Sequence, residues 1–194
     1  MEAAQSEMRD RILDVALDLI QRRGLNGMSY QDISAAVGIR KASVHHHFAG
    51  KGDLLHALLL RYRADFNRVV GQVVTAPVAA PLKLRRYFAL FVNTLREGSQ
   101  DKSCLCGMLA GELLSLDEKN VEQVRAFLRE NAHQLKAILA QGVKEETLRV
   151  PGDLESTSHM VLSTLEGALL LARCDGGPKR MEAVLTQLRK LLEA

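Results

Sequence analysis

The sequence is poor in the features that mark secreted, membrane or disulfide-bonded proteins. It has no tryptophan, and aromatic residues make up only 4% of its 194 residues. Three cysteines, an odd number, do not form a disulfide framework in a chain of this length, which indicates a reducing compartment. The N-terminal residues are polar, unlike a signal peptide, and even the apolar residues 161–172 are interrupted by Glu166. We therefore expect a soluble, cytoplasmic protein without a membrane partner.

The apolar residues follow a helical pattern along almost the whole chain. Hydrophobic residues make up 47% of the sequence, enough for a substantial core, and strand-like alternation is hard to find. We predict an all-α protein with nine helices, three short ones followed by six mostly long ones. Glycine and proline predict breaks at Gly24, within residues 75–81, at Gly98, at Pro151-Gly152 and within residues 175–178.

Positive charge is concentrated in one segment. Residues 40–63 carry five lysines and arginines against one acid, Asp53, so their net charge of +4 exceeds the +3 of the whole chain. Four of the six histidines lie in the same segment. A single basic segment on an otherwise balanced chain predicts a localised contact with a polyanion.

Residues 29–48 have the pattern of a helix-turn-helix. Ser29 and Asp32 have the spacing of a capping box, and Gly38 permits a tight turn. Apolar residues on both predicted helices would face inward. The polar residues of the second helix would then face DNA, namely Arg40, Lys41, Ser43, His45 and His46.

Three consecutive histidines, residues 45–47, also raise the question of a metal site. Successive side chains on a helix point about 100° apart, so the three rings would not converge on one ion, and we expect neither a metal nor a cofactor. His47, next to Phe48, is equally compatible with packing against the helix behind it. For Lys51 a purely solvated position is the alternative, and we favour a contact.

The segment GIRKASVHHHFAGK, residues 38–51, resembles the recognition region of the TetR family of bacterial repressors, and the resemblance extends over about residues 9–60. It implies a helix-turn-helix DNA-binding domain of three helices over residues 1–50 and a six-helix ligand-binding and dimerisation domain over residues 51–194. The implied function is a homodimeric repressor released from a palindromic, double-stranded operator by an unknown small-molecule effector. His45 stands where the family usually has tyrosine, so operator affinity is expected to depend on pH.

The resemblance also implies phosphate contacts from the start of the first motif helix, along the recognition helix and from the start of the following helix. Arg40 is added from the helix-turn-helix pattern. The predicted DNA-binding residues are then Ser29, Tyr30, Arg40, Lys41, Ser43, His45, His46, His47 and Lys51.

The last two predicted helices, residues 154–173 and 181–192, are candidates for the dimer interface. The first is apolar on more than one side, and the second has a continuous apolar face that includes Leu185 and Leu188. Two such pairs could form a four-helix bundle between protomers. The alternative is that both faces are buried within one chain.

The candidate effector residues lie in the predicted body, and for most of them we favour the alternative, an ordinary core position. They are Phe88, Phe91, Cys104, Met108, Glu112, Phe127, Met160 and Thr164. Glu112 and Glu166 stand on largely apolar helices, where an acid needs a partner, either an arginine or a basic effector. The long helix from about residue 53 to 74 is the expected lever between effector and recognition helix.

Cys104 carries the alternative mode of regulation, as a thiol-based sensor of redox state or electrophiles. The stretch around it resembles the cysteine-containing sixth helix of electrophile-responsive family members, and a thiol at a helix N-terminus has a lowered pKa. Cysteine is also a common small buried residue, and we favour that interpretation.

Two other classes of function fit the sequence less well. No nucleophile elbow, phosphate loop, HExxH or paired acid–base motif is present, so we do not expect an enzyme. A head that docks a protein instead of DNA would not need the basic segment, and salt-dependent binding to duplex DNA would separate these two hypotheses.

Overall fold

The computed structural model describes residues 2–97 and 101–194. Within them the chain forms nine α-helices, one short 3₁₀ turn and no strand, which confirms the predicted all-α class. The helices are α1 (Glu2–Arg23), α2 (Tyr30–Val37), α3 (Lys41–His47), α4 (Lys51–Thr75), α5 (Ala80–Glu97), α6 (Leu105–Gly111), α7 (Glu118–Lys144), α8 (Leu154–Ala172) and α9 (Gly177–Leu192).

Some predicted helix ends are confirmed, and others differ: the helix predicted over residues 104–116 ends at Gly111 and is followed by a 3₁₀ turn over Leu113–Ser115. Gly24 ends α1 with a positive φ of 76°, a conformation that favours glycine. The break within residues 175–178 ends sooner than predicted, because α9 already begins at Gly177. Pro178 lies in its first turn, where the fixed φ of proline suits the helix and its missing N–H costs nothing. The predicted stop at Gly98 lies outside the described residues.

The chain divides into two compact units. The first comprises Met1–Arg63 and Leu105–Arg125, and the second comprises Ala64–Cys104 and Ala126–Ala194. The predicted functional boundary at residue 50 therefore falls inside the first unit. The physical reason is that a three-helix head has too little core of its own, and α4 and α6 extend that core.

Apolar stripes at helical spacing form the core of the first unit. Fully buried side chains on α1, α2 and α3 include Ile12, Ile33 and Val44, and the first half of α4 contributes Leu54 and Leu58. Helix α2 packs against both α1 and α3, and α6 packs against α1. The recognition region is thus held from behind by apolar contacts.

The second unit is built around α8, which packs against α5 and α9. Asp153 caps α8 by accepting a hydrogen bond of 2.8 Å from the Ser156 N–H. The largest fully buried side chains of this unit are Tyr87 and Phe127. No helix in the described part of the chain combines the length and apolar character needed to cross a membrane.

Candidate nucleic-acid interface

A complete capping box begins α2. The Ser29 hydroxyl oxygen accepts a hydrogen bond of 3.2 Å from the Asp32 N–H, and the Asp32 carboxylate accepts one of 2.8 Å from the Ser29 N–H. These bonds from Ser29 lower the pKa of Asp32, so the carboxylate is held in its ionised form. The predicted capping box is confirmed, and it fixes where the helix-turn-helix begins.

Gly38 makes the turn between α2 and α3. Its φ is 79°, in the left-handed region, and its N–H donates to the Ser34 carbonyl at 3.0 Å. A Cβ at this position would meet no atom within 4 Å, so the requirement for glycine comes from the backbone conformation alone. The Arg11 guanidinium also donates to the Val37 carbonyl at 3.1 Å, which satisfies an acceptor at the end of α2.

Helix α3 turns one apolar side chain inward and its polar side chains outward. Val44 is fully buried. The remaining predicted contact residues of this region are solvent-accessible, with Arg40, Lys41, His45 and His46 exposed and Ser43 and His47 half-buried. These six predicted residues are therefore solvent-accessible and are distributed around the sides of α3 that Val44 does not occupy.

Tyr30 differs from the other predicted contacts because it is only 5% exposed. Its hydroxyl donates to the Phe48 carbonyl at 3.1 Å, and burial, followed by the charge of Asp53, raises its pKa to about 12. Its ring lies edge-on to the His45 ring, with 4.7 Å between centroids. In this structure Tyr30 orients the C-terminal end of α3 and the His45 ring.

The ends of α3 are held by further polar contacts. His45 Nδ1 lies 3.4 Å from the Ala49 carbonyl, so the imidazole is held at the end of the helix. Lys51, at the start of α4, donates to the Leu25 carbonyl at 3.5 Å while remaining exposed. Its ammonium group therefore remains accessible to a phosphate.

Arg9 is a cation near this surface that the sequence analysis missed. Its guanidinium lies 5.0 Å from the centre of the Phe48 ring. Burial lowers the pKa of His47, and the charges of His46 and Arg9 lower it further, which favours the neutral imidazole. No local pattern could have identified Arg9, because it lies on α1, far from α3 in the chain.

The charge of this surface is of one sign. Residues 40–51 contain no acid. The nearest acid along the chain, Asp53, accepts a hydrogen bond from Lys119 at 2.9 Å, which lowers its pKa. Asp32 is occupied by Ser29. An accessible helix that carries cations and imidazoles without neighbouring unpaired acids is suited to the phosphate backbone of DNA. Within the described residues, no three His, Cys, Asp or Glu side chains lie together as metal ligands would.

The predicted effector residues are distributed over both units. Phe88, Phe91, Phe127 and Cys104 are buried in the second unit, where Met160 is 43% exposed. The Thr164 hydroxyl, also in the second unit, donates to the Met160 carbonyl at 2.8 Å. Met108 and Glu112 belong to the first unit.

Glu112 has a partner that the sequence analysis did not anticipate. Its carboxylate accepts a hydrogen bond of 2.7 Å from the Leu25 N–H, at the end of α1. A Cβ at Gly24 would lie 2.3 Å from a Glu112 carboxylate oxygen, so the close approach also depends on glycine. The partner of Glu112 in this structure is therefore a backbone N–H group, where the sequence analysis expected an arginine or a basic effector.

Of the predicted effector residues, Phe88 lines an open groove of about 360 Å³ in the second unit. Val92 of α5 and Leu185 of α9 form its apolar floor. Its rim carries ion pairs between Arg85 and Glu193 and between Arg96 and Glu182.

Comparison with known proteins shows extended similarity. Residues 12–58 match the family described as bacterial regulatory proteins, tetR family, and residues 80–188 match the tetracyclin repressor-like C-terminal domain. The HTH-type transcriptional repressor DhaR of Mycobacterium sp. (strain GP1) is 21% identical over 94% of this chain and 91% of its own length. The HTH-type transcriptional repressor KstR2 of Rhodococcus jostii (strain RHA1) is 25% identical over 95% of this chain and 89% of its own length.

Two solved structures are similar over nearly the whole chain. A TetR-family transcriptional regulator from Agrobacterium tumefaciens has a TM-score of 0.92 and 32% identity, covering 98% of this chain and 100% of its own. A TetR transcriptional regulator from Legionella pneumophila has a TM-score of 0.82 and 30% identity, covering 93% and 94%.

Proposed function

Because the chain belongs to the TetR family of bacterial transcription regulators, we propose that it is a repressor that holds a palindromic operator through two α3 helices and leaves it when an effector binds. The chain is a DNA-binding regulator and not an enzyme, and regulators of this family act as dimers. DNA recognition resides in residues 1–50, and effector binding and dimerisation reside in residues 51–194. Its DNA target argues for action in the cytoplasm, where the bacterial chromosome lies.

The observation that carries this proposal is the accessible, acid-free face of α3. Arg40 and Lys41 begin the helix, His45 and His46 lie near its end, and Lys51 follows it. Buried Val44 and the hydrogen bonds at both ends fix the orientation of these side chains. In a helix-turn-helix such residues enter the major groove or contact the flanking phosphates. Ser29 and Tyr30 complete the proposed contact region, Tyr30 by orienting its neighbours.

Replacing Lys41 and Lys51 together with alanine should weaken binding to every duplex DNA sequence. Each lysine neutralises a phosphate and releases counterions, so the slope of log affinity against log salt should fall by roughly one unit per lost contact. A dimer loses about four contacts in this variant. Fluorescence anisotropy titrations of a labelled duplex, repeated at several salt concentrations, would measure both effects.

The matched control is the double substitution Lys144→Ala and Lys179→Ala, which removes the same charge from exposed positions of α7 and α9. It should leave the salt slope unchanged. If both double variants reduce the slope equally, the effect comes from net charge, and the proposed contact surface is wrong.

We assign the dimer interface, predicted from the sequence at residues 154–173 and 181–192, to α8 and α9. Four large apolar side chains on these helices are exposed, namely Met160 at 43%, Leu170 at 48%, Leu171 at 52% and Leu191 at 59%. Leu185 and Leu188 are instead buried within the chain, at 7% and 4% exposure. The two helices therefore have one apolar face that packs inside their own chain and a second, exposed apolar face that is available to a partner protomer.

Effector release requires a link between the body and α3, and α4 provides a continuous one. Residues 51–63 of α4 belong to the first unit and residues 64–75 to the second. Within the first unit, the Glu112–Leu25 hydrogen bond ties the segment that follows α6 to the end of α1. An effector that binds the DNA-free conformation a hundredfold more tightly than the DNA-bound one shifts the equilibrium between the two conformations by about 2.7 kcal/mol. We expect operator release to depend on a free energy of this size.

A thiol sensor at Cys104 is the second candidate mode of regulation. The observation in its favour is that the Cys104 thiol lies close to the Glu166 carboxyl group and lowers the pKa of that group, which could accept the thiol proton. Against it, Cys104 is only 5% exposed.

We expect the buried, structural role for Cys104 to hold. Treatment with the electrophile N-ethylmaleimide should then affect operator binding equally in the wild type and in Cys104→Ser, measured by gel shift with mass spectrometry of the adducts. Cys106→Ser and Cys174→Ser are the controls for the other thiols. Release of DNA from all proteins except Cys104→Ser would instead establish the sensor.

A further inference from the structure

Glu166 lies in a largely apolar helix, α8, and its carboxyl group is enclosed. Both oxygens are shielded from solvent and lack a hydrogen-bond partner of normal geometry among the described residues. Burial raises the pKa of Glu166 to about 7, and only the weak contact with the Cys104 thiol opposes this rise. No described lysine or arginine contributes to that pKa. Such an acid costs free energy until a cation or donor pairs with it.

A second unpaired polar group lies on α7. Asn131 is 1% exposed, and its amide oxygen accepts a hydrogen bond from the Tyr87 hydroxyl. Its amide nitrogen has no partner among the described residues. Tyr87 is fully buried, and its pKa is raised by burial first and then by the charges of Glu166 and Cys104. A buried acceptor and a buried donor are therefore both unsatisfied near one tyrosine.

Two aromatic rings of the same helix lie close to this tyrosine. The Tyr87 ring lies 5.7 Å from the Phe91 ring and 6.4 Å from the Phe88 ring, measured between centroids. Helix α5, which carries all three rings, packs against α8. Aromatic faces attract cations, and an enclosed carboxylate without a cation attracts them more strongly. The uncompensated carboxyl group of Glu166, whose charge raises the pKa of Tyr87, and the aromatic rings beside that tyrosine are together complementary to a positive charge on an apolar molecule.

We propose that Glu166 binds the ammonium group of an apolar amine, that the Asn131 amide donates to an acceptor of the same molecule, and that such an amine is the effector. This inference rests on the proposed function, since it names the chemical class of the effector.

The proposed site also explains how binding could move helices. The amine must part the side chains of α5 and α8 to reach the carboxylate, and pairing of the two unsatisfied groups offsets part of that cost. Binding is then linked to a rearrangement of the second unit, which is what an effector requires.

The test uses phenylalkylamines with one to four methylene groups, each compared with the phenylalkanol of the same length. Binding to the purified wild-type dimer, to Glu166→Gln and to Glu155→Gln is measured by isothermal titration calorimetry. Glu155 is the matched control, because it lies on the same helix but is exposed and already paired with Lys136 at 2.6 Å. Operator affinity of each protein is measured in parallel.

At least one amine should bind the wild type and Glu155→Gln at least about tenfold more tightly than its alcohol, and Glu166→Gln should lose that preference. Equal binding of every amine and its alcohol to the wild type would overturn the proposal, as would an unchanged preference in Glu166→Gln. If Glu166→Gln fails to fold, the comparison of each amine with its alcohol in the wild-type protein still tests whether the site prefers a positive charge. Intact operator binding in these experiments would leave the proposed function standing even where the amine proposal fails.

Discussion

Replacing Leu171 and Leu191 together with glutamate is expected to convert the dimer into folded monomers and to abolish specific operator binding. Both side chains are more than half exposed in one chain, so the substitution leaves the core of that chain intact. In a dimer built from α8 and α9, four new carboxylates would enter an apolar interface, each at a cost of several kcal/mol. A monomer binds one half-site and loses the roughly 10²–10⁴-fold gain of a second linked contact.

Analytical ultracentrifugation measures the mass of the variant, circular dichroism its helicity and gel shift its operator affinity. The matched control is Leu82→Glu with Val143→Glu, which adds the same charge at apolar positions that are 43% and 44% exposed on α5 and α7. This control should stay dimeric. A helical Leu171/Leu191 variant that sediments as a dimer would place the interface elsewhere.

Glu166→Gln is expected to make the protein more stable than the wild type at pH 8, and this advantage should disappear near pH 4.5. The pKa of Glu166 is raised from 4.5 to about 7 by burial, so the folded state holds the proton more tightly than the unfolded state. The stability associated with the protonated group is fully present below pH 4.5 and is lost as pH rises through about 7. The difference between the two pKa values corresponds to about 3 kcal/mol.

Urea unfolding of the wild type and Glu166→Gln between pH 4.5 and 8.5, at fixed protein concentration, measures this difference. Glu155→Gln is the control with the opposite sign, because hydrogen bonds from Lys136 and His159 lower the pKa of Glu155. Its carboxylate therefore contributes stability at neutral pH that is lost on acidification. A constant difference between wild type and Glu166→Gln across this range would show that the carboxyl group is not enclosed as described.

The helices and the helix-turn-helix were predictable because their causes are local. The capping box at Ser29 and the turn at Gly38 depend on residues within a few positions of each other, and both are present as predicted. The contacts of Arg9 with Phe48 and of Glu112 with Leu25 depend on chain segments far apart in sequence. The spacing of apolar residues along the chain does not reveal such contacts. The sequence analysis therefore missed Arg9 and assigned Glu112 to an effector site.

The apolar faces of α8 and α9 show the same limit. Leu185, Leu188 and Leu191 continue one helical stripe in the sequence, yet the first two are buried in their own chain and the third is exposed. Periodicity identifies which side of a helix is apolar, but it does not say which partner covers each part. Similarly, the sequence showed that Glu166 interrupts an apolar helix, and only the structure showed that its oxygens lack a full partner.

Selection of bound sequences from a random DNA library by the purified protein tests the central claim most directly. The account predicts enrichment of one inverted repeat whose half-sites are centred about one helical turn, or slightly more, apart, with one dimer protected on it in footprinting. The Lys41→Ala/Lys51→Ala variant should recover no such repeat under the same salt conditions. Failure of the wild type to enrich any inverted repeat, or equal enrichment by the variant, would contradict operator recognition through α3.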